Sequence, residues 1–183
     1  SEYGGCLPAS FDELIRLPGI GSYTAGAIAS IAYGIPLPAV DGNVLRVISR
    51  LLGDREDIKK ASVKAGIEAE LKAVMPQDEA SHYNQGLIEI GALVCIPGGE
   101  PRCSQCPLAS ICLTRKNGWW KEIPYKSPAK VRKIEERTVF IIEYQDKVAI
   151  HKRPMNGLLA GLYEFPNACG HPDADEIPAV LGM

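Results

Sequence analysis

Four cysteines within eighteen residues constrain the fold of this chain more than any other feature. Cys95, Cys103, Cys106 and Cys112 follow the pattern C-x7-C-x2-C-x5-C. Thiols at this density are not ordinary core residues, and two disulfides are not expected in a chain of intracellular character. The pattern therefore indicates a zinc ion or a [4Fe–4S] cluster. Zinc sites more often have two C-x2-C pairs and this chain has one, so the spacing favours the cluster and leaves zinc open.

The bulk composition indicates a globular protein and gives no sign of a nucleic-acid partner. Of the 183 residues, 46% are hydrophobic, and the net charge is −2. The apolar fraction excludes disorder as the main state. No apolar run approaches the roughly 18 residues of a membrane span, and no basic and apolar leader opens the chain. Cys6 and Cys169 stand apart from the other cysteines and are expected to be free thiols. We expect a monomeric cytoplasmic protein without membrane contact.

The first half of the chain is predicted to be helical. Ser10 as N-cap, with Glu13 at the capping-box position, predicts a helix over residues 11–17. An Ala- and Ile-rich segment predicts a buried helix over residues 23–33. A third helix is expected to open at Asp41 or Gly42, and two more are expected over residues 58–75 and 81–94. The third helix carries an apolar stripe formed by Val44, Leu45, Ile48, Leu51 and Leu52.

A short glycine motif lies between the first two predicted helices. It reads Leu17-Pro18-Gly19-Ile20-Gly21. Two glycines so close allow a tight turn, and they let a ligand approach the bare backbone. The next helix would then direct its unpaired N–H groups outward, and such a helix start binds phosphate without Lys or Arg. The alternative is an αα-hairpin whose glycines only allow close packing. The candidate DNA-contacting residues are Leu17, Pro18, Gly19, Ile20, Gly21, Ser22 and Thr24.

A Gly/Pro-rich loop containing Gly34, Pro36 and Pro38 leads to Asp41. In this order, the hairpin, the loop and the aspartate resemble the helix-hairpin-helix-GPD superfamily of base-excision DNA glycosylases. The resemblance implies that Asp41 faces C1′ of an extruded nucleotide and stabilises the oxocarbenium-like charge as the base departs, an electrostatic effect. An N-cap is the ordinary explanation of Asp41, and the two roles are compatible.

The segment LPGIGSYTAGAIASIAYGIPLPAVDGNVLRVISRL is similar to A/G-specific adenine glycosylases of the MutY type. The resemblance implies that Tyr23 and Asn43 assist Asp41, whereas a core tyrosine and a helix-start asparagine are the ordinary alternatives. Bifunctional relatives carry a lysine where Tyr23 stands, and a phenol cannot form a Schiff base. The chain is therefore identified as a member of the monofunctional group, which leaves an abasic site. The implied partner is double-stranded DNA with A:8-oxoguanine or A:G mispairs.

The resemblance also implies a [4Fe–4S] cluster at the four cysteines. The family places six residues between its first two ligands, and here residues 96–102 make seven. The extra residue falls in a loop containing Gly98 and Gly99, which is expected to absorb it. Arg102, Arg115 and Lys116 flank the cysteines and are candidates for phosphate contacts or for ordinary solvated surface.

The sequence changes character after residue 120. Residues 121–137 hold six lysines and arginines against three glutamates, together with Pro124 and Pro128, and they predict a basic linker. Residues 138–144 and 148–151 then predict a β-hairpin turned by residues 145–147. The phrase GLLAGLYEFP resembles the start of a Nudix-like domain of the same enzymes, without its catalytic glutamates; an unrelated β domain is the alternative.

The predicted fold is mainly α: part of a six-helix glycosylase barrel with its cluster loop, followed by the start of an α+β Nudix-like domain. The predicted boundaries are 1–94 for the helical region, 95–120 for the cluster loop, 121–137 for the linker and 138–183 for a truncated second domain. The resemblance places the general-acid glutamate of the family upstream of these residues, and Glu13 is in the wrong context to replace it. We therefore expect this chain alone to lack glycosylase activity. The alternatives are a non-catalytic DNA-binding module and an endonuclease III-like glycosylase of different base specificity.

Overall fold

The computed structural model describes residues 3–129 and 131–181. Lys130 of the predicted linker and both ends of the chain, with Glu2 and Met183, lie outside these ranges. The chain divides into two compact units, residues 1–128 and 129–183, so the division falls inside the segment predicted as a linker. No helix in the described ranges is long and apolar enough to span a membrane.

The first unit is helical. Its helices are α1 (Phe11–Leu14), α2 (Ser22–Ala27), α3 (Gly42–Leu52), α4 (Ala61–Val74), α5 (Ala80–Glu89) and α6 (Leu113–Asn117). A wide π-type turn extends α2 over Ile28–Ala32, and another extends α5 over Ile90–Val94. Short 3-10 turns cover Cys103–Gln105 and Trp119–Lys121. The main core packs α3 against α4 and α5, and it consists of Val40, Val44, Leu45, Val47, Ile48, Ile58, Ile67, Leu71 and Leu87.

Several predicted helices differ in extent from the observed ones. The helix predicted over residues 11–17 stops at Leu14, and the Ser10 side chain makes no capping hydrogen bond, so the predicted capping box is wrong. The α conformation is disfavoured for a residue that precedes proline, and residues 15–17 form tight turns ahead of Pro18. The helix predicted over residues 58–75 begins at Ala61, because Ile58 is buried in the loop before it and bonds to the Tyr125 carbonyl.

Two helix faces are more exposed than predicted. The second helix is buried at Ala25, Gly26, Ala29 and Ser30, but its other face is open. The exposed fraction is 37% for Tyr23 and 42% for Ile31. On α3, Leu52 of the predicted apolar stripe is 46% exposed, whereas Val44 and Ile48 are buried. The helix predicted over residues 81–94 forms, with its last turn widened to the π type.

The start of the predicted basic linker is packed against the first unit. Ile123 is 1% exposed, and its carbonyl accepts a hydrogen bond from the Arg50 side chain. Two residues later, Tyr125 forms a parallel bridge with Asp57. Composition could not predict this packing, because the segment contains a single buried isoleucine among lysines and prolines.

The second unit consists of short antiparallel strand pairs. Its strands are β1 (Arg137–Val139), β2 (Glu143–Tyr144), β3 (Lys147–Val148), β4 (His151–Lys152), β5 (Tyr163–Glu164) and β6 (Asn167–Cys169), and the helix α7 spans Ile177–Val180. The pairs are β1 with β6, β2 with β3, and β4 with β5. The predicted hairpin forms only between β2 and β3, where Gln145 and Asp146 have φ values of 47° and 61°. A two-residue turn with positive φ at both central residues is favoured in hairpins, because its twist matches that of the flanking strands. Lys147, predicted in the turn, belongs to β3, and residues 138–139, predicted in the hairpin, pair with β6.

Candidate active site and cysteine cavity

The glycine motif folds into one tight turn followed by an open helix start. The Ile20 N–H donates to the Leu17 carbonyl at 3.1 Å, with Pro18 and Gly19 between them. Gly19 has a φ of 83°, so the turn is of type II, which requires glycine at its third position. Gly21 is the N-cap of α2 and provides no side-chain cap. The backbone N–H groups at the start of α2 therefore receive no side-chain cap from the residue before the helix.

The backbone N–H groups at the start of α2 are available to an anion. In the described ranges, the N–H groups of Ser22, Tyr23 and Thr24 donate to no protein acceptor, as is usual for the first turn of an uncapped helix. The Ser22 hydroxyl is occupied, because Lys64 Nζ donates to it at 2.8 Å and it lies 3.3 Å from Glu68 Oε1. The backbone groups therefore remain as the phosphate-binding elements of this turn.

Asp41 caps α3 and is held by three hydrogen bonds. Its Oδ1 accepts from the N–H groups of Asn43 at 2.9 Å and Val44 at 2.8 Å, and its Oδ2 accepts from Asn43 Nδ2 at 2.8 Å. The residue is half-buried. Two backbone donors and the positive end of a helix thus face this carboxylate. The arrangement can hold a fixed negative charge beside a developing positive one.

A buried arginine connects this cap to the cysteine segment. Arg46 is 5% exposed, and its Nη2 donates to Asn43 Oδ1 at 2.9 Å and to the Gly91 carbonyl at 2.8 Å. Its Nε donates to the Cys95 carbonyl at 2.7 Å. Burial lowers the pKa of Arg46 from its ordinary value. The close approach of the two segments requires Gly91, because a Cβ there would lie 2.6 Å from the Asn43 Cβ.

A buried asparagine fixes the loop that delivers Asp41. Asn84 on α5 is 1% exposed, and its Oδ1 accepts from the Ala39 N–H at 3.0 Å. Its Nδ2 is a donor to the Leu37 carbonyl at 2.8 Å and lies 2.7 Å from Ser30 Oγ. Sequence reasoning missed this residue. A polar residue at helical spacing among the buried Ala80, Leu87 and Gly91 was the available signal.

The predicted site residues are only partly brought together. Asp41 and Asn43 are in direct contact. Tyr23 is 37% exposed and has no hydrogen bond to either within the described ranges. It lies on α2, three residues before Gly26, which packs so closely on the Asp41 loop that a Cβ there would lie 2.3 Å from the Pro38 carbonyl oxygen.

The four predicted cysteine ligands line one cavity of about 280 Å³. All four thiols are free and half-buried. Burial raises the pKa of the Cys103 thiol, and the other three cysteines raise it further. No group of three His, Cys, Asp or Glu side chains suited to a single metal ion occurs in residues 3–129 or 131–181. The four thiols around this cavity are of the ligand type that both zinc and iron–sulfur clusters use.

A second buried arginine forms part of the cavity wall. Arg50 is 5% exposed, and its Nη1 lies 3.3 Å from Cys95 Sγ and 3.1 Å from the Ile96 carbonyl oxygen. Cys112 Sγ lies 3.3 Å from the Arg50 carbonyl oxygen. A guanidinium beside the thiols offers a hydrogen bond to sulfur. The sequence prediction identified the cysteines but not this arginine.

Comparisons with known proteins agree with this geometry. Residues 2–31 match the family described as the helix-hairpin-helix motif. The chain is 32% identical to an adenine DNA glycosylase from Buchnera aphidicola over 91% of its length, and 34% identical to one from Schizosaccharomyces pombe over 87%. These matches cover 48% and 43% of the relatives, so the chain spans about half the length of the curated relatives it matches.

A solved structure of a non-covalent endonuclease III–DNA complex is also similar. It superimposes with a TM-score of 0.53 at 36% sequence identity, covering 64% of this chain and 52% of the other. The mainly helical fold predicted from the sequence is thereby confirmed.

Proposed function

Since this chain belongs with the adenine DNA glycosylases of the helix-hairpin-helix superfamily, we propose that it is part of a monofunctional base-excision repair enzyme. The enzyme removes adenine mispaired with 8-oxoguanine or guanine by hydrolysing the N-glycosidic bond. The observation that carries the proposal is the Asp41 carboxylate, fixed by three hydrogen bonds at the start of α3. We propose that the enzyme acts on chromosomal DNA in the bacterial cytoplasm.

The hairpin binds duplex DNA through its backbone. The phosphate contacts are assigned to Leu17, Pro18, Gly19, Ile20, Gly21, Ser22 and Thr24, with the free N–H groups at the start of α2 as donors. Such contacts position the duplex without reading its sequence. They also need no excess of Lys and Arg, in keeping with a net charge of −2.

Asp41 acts on the sugar. As the bond between C1′ and the adenine nitrogen breaks, its electron pair leaves with the base and positive charge develops on the sugar. The fixed carboxylate stabilises that charge until water adds to C1′. Asn43 holds the second carboxylate oxygen, at 2.8 Å. The products are free adenine and an abasic site.

Tyr23 distinguishes this enzyme from glycosylases that also cleave the DNA strand. A lyase of that kind forms a Schiff base at C1′ through an amine, and a phenol at this position cannot do so. Tyr23 is assigned an assisting role beside Asp41, and its half-exposed ring at the start of α2 leaves it accessible to DNA.

The four cysteines hold a [4Fe–4S] cluster. The cavity that they line supports a shared site, the adjacent Arg50 guanidinium offers a donor to sulfur, and the cysteine spacing favours the cluster over zinc. When bound, the cluster supplies order to residues 95–112, because ligation fixes a segment with little regular structure. That order extends toward Asp41 through Arg46, which bonds both Cys95 and Asn43.

Adenine release tests the function. The whole enzyme should release adenine from an A:8-oxoguanine duplex in a single-turnover assay, and the strand should break only after treatment with alkali. Release of another base by the whole enzyme would contradict the proposed specificity, and strand breakage without alkali would contradict the monofunctional assignment.

The cluster assignment has its own test. The chain purified without oxygen should show a broad absorption band near 400 nm and about four iron atoms per chain. Replacing Cys103 with serine should remove the band, whereas replacing Cys6, which stands apart from the cavity, should leave it unchanged. Stoichiometric zinc without the band would favour the alternative metal.

A further inference from the structure

One buried hydroxyl at the cysteine cavity has no partner in the protein. Thr114 is 2% exposed, and its Oγ1 makes no hydrogen bond. The residue is the second of α6, follows Cys112 by two positions and lines the cavity. A buried hydroxyl without a hydrogen-bond partner destabilises the fold. A group bound in the cavity is therefore the candidate acceptor for this hydroxyl.

The helix does not satisfy this hydroxyl. A threonine inside a helix commonly donates to the carbonyl three or four residues earlier. For Thr114 those carbonyls belong to residues 110 and 111, which precede the first residue of α6. Neither accepts from Oγ1. The position of Thr114 at the start of a short helix thus leaves the hydroxyl free to face another acceptor.

The cavity offers sulfur as that acceptor. Its wall contains all four cysteines, and one of them already lies close to a protein donor, Arg50 Nη1 at 3.3 Å from Cys95 Sγ. We propose that the Thr114 hydroxyl donates a hydrogen bond to a sulfur atom of the [4Fe–4S] cluster held by these cysteines. This inference rests on the cofactor assigned under the proposed function.

The hydrogen bond has two measurable consequences. Donors to cluster sulfur stabilise the more negative, reduced state and so raise the reduction potential. A donor that pairs only when the cluster is present also stabilises the loaded protein, and so slows loss of the cluster. In the unloaded protein the hydroxyl has no partner, so its removal should not lower stability.

The test compares matched variants of the whole chain. Thr114→Val keeps the shape of the side chain and removes the hydroxyl, whereas Thr114→Ser keeps the hydroxyl. Ser49→Ala is the control, since Ser49 is the other buried hydroxyl without a partner in the described ranges and does not line the cavity. Thr114→Ala substitutes if the valine variant fails to fold. The readouts are the reduction potential by voltammetry and the rate at which a chelator bleaches the band near 400 nm.

The expected result has a direction for each variant. Thr114→Val should shift the reduction potential to a more negative value. It should also speed cluster loss by about fivefold, which corresponds to the loss of one ordinary hydrogen bond. Thr114→Ser and Ser49→Ala should both behave like the wild type. A loaded wild type with an unchanged valine variant would overturn this inference alone, as would equal shifts in Thr114→Val and Ser49→Ala. A wild type that assembles no cluster would overturn the cofactor assignment and this inference together.

Discussion

Replacing Asp41 with asparagine is expected to abolish the preference of this chain for a positively charged sugar in DNA. A duplex with a pyrrolidine nucleotide at the target position carries a cation near C1′, and one with a tetrahydrofuran is neutral. The wild-type chain should bind the cationic duplex about ten- to a hundredfold more tightly, because a fixed carboxylate attracts the cation at short range. Competition binding with both duplexes measures the ratio. In the whole enzyme the same substitution should lower kcat by about a thousandfold.

The asparagine variant isolates charge from folding. Asparagine is as good an N-cap as aspartate, so α3 should keep its first turn and the unfolding midpoint should change little. Asp54→Asn is the matched control, since it removes the same charge just beyond the other end of α3, where the side chain accepts from the Glu56 N–H. A cation preference that persists in Asp41→Asn, or disappears in Asp54→Asn, would refute the proposed role of Asp41.

Asn84→Ala is expected to cause the largest loss of stability. It leaves the Ala39 N–H, the Leu37 carbonyl and the Ser30 hydroxyl short of a buried partner. The free energy of unfolding should fall by about 3–4 kcal/mol, and the melting temperature by about 10 °C. Urea unfolding followed by circular dichroism measures the first quantity and a thermal scan the second.

A neighbouring residue provides the control for Asn84. Gln85 is exposed, and in residues 3–129 and 131–181 its side-chain amide bonds only Ser81, one helical turn away. Gln85→Ala should change stability by less than about 0.5 kcal/mol. Equal effects of the two substitutions would show that the buried network contributes little. Because Asn84 fixes the loop before Asp41, its alanine variant should also weaken the cation preference.

Features specified by adjacent residues could be predicted from the sequence. Asp41 followed by glycine and an apolar stripe predicted α3 and its cap, and both form. The glycine motif predicted a tight turn with an open helix start, because the conformations that Pro18 and Gly19 favour fix that turn. The spacing of the cysteines predicted a shared site, and all four line one cavity.

Features that depend on distant partners could not be predicted in this way. Asn84 and Ser30 are 54 positions apart, and no local pattern announces their contact. Arg46 and Arg50 lie on a largely apolar helix, and the acceptors that connect them to residues 91–96 and 120–123 follow them by 45 to 73 positions. The capping box at Ser10 failed for a related reason, because the demands of the following turn outweighed a local preference of about 1 kcal/mol.

The contact between Arg50 and the carbonyls of Trp120 and Ile123 has a consequence for cooperativity. The end of a domain usually frays first, because its last residues have few partners. Here, within residues 119–125, the carbonyls of Trp120 and Ile123 accept from the buried guanidinium of Arg50, and their removal would deprive that charge of two of its acceptors. Exchange of backbone hydrogens in this segment should therefore require opening of the helical core, so that this unit melts as a whole rather than from its end.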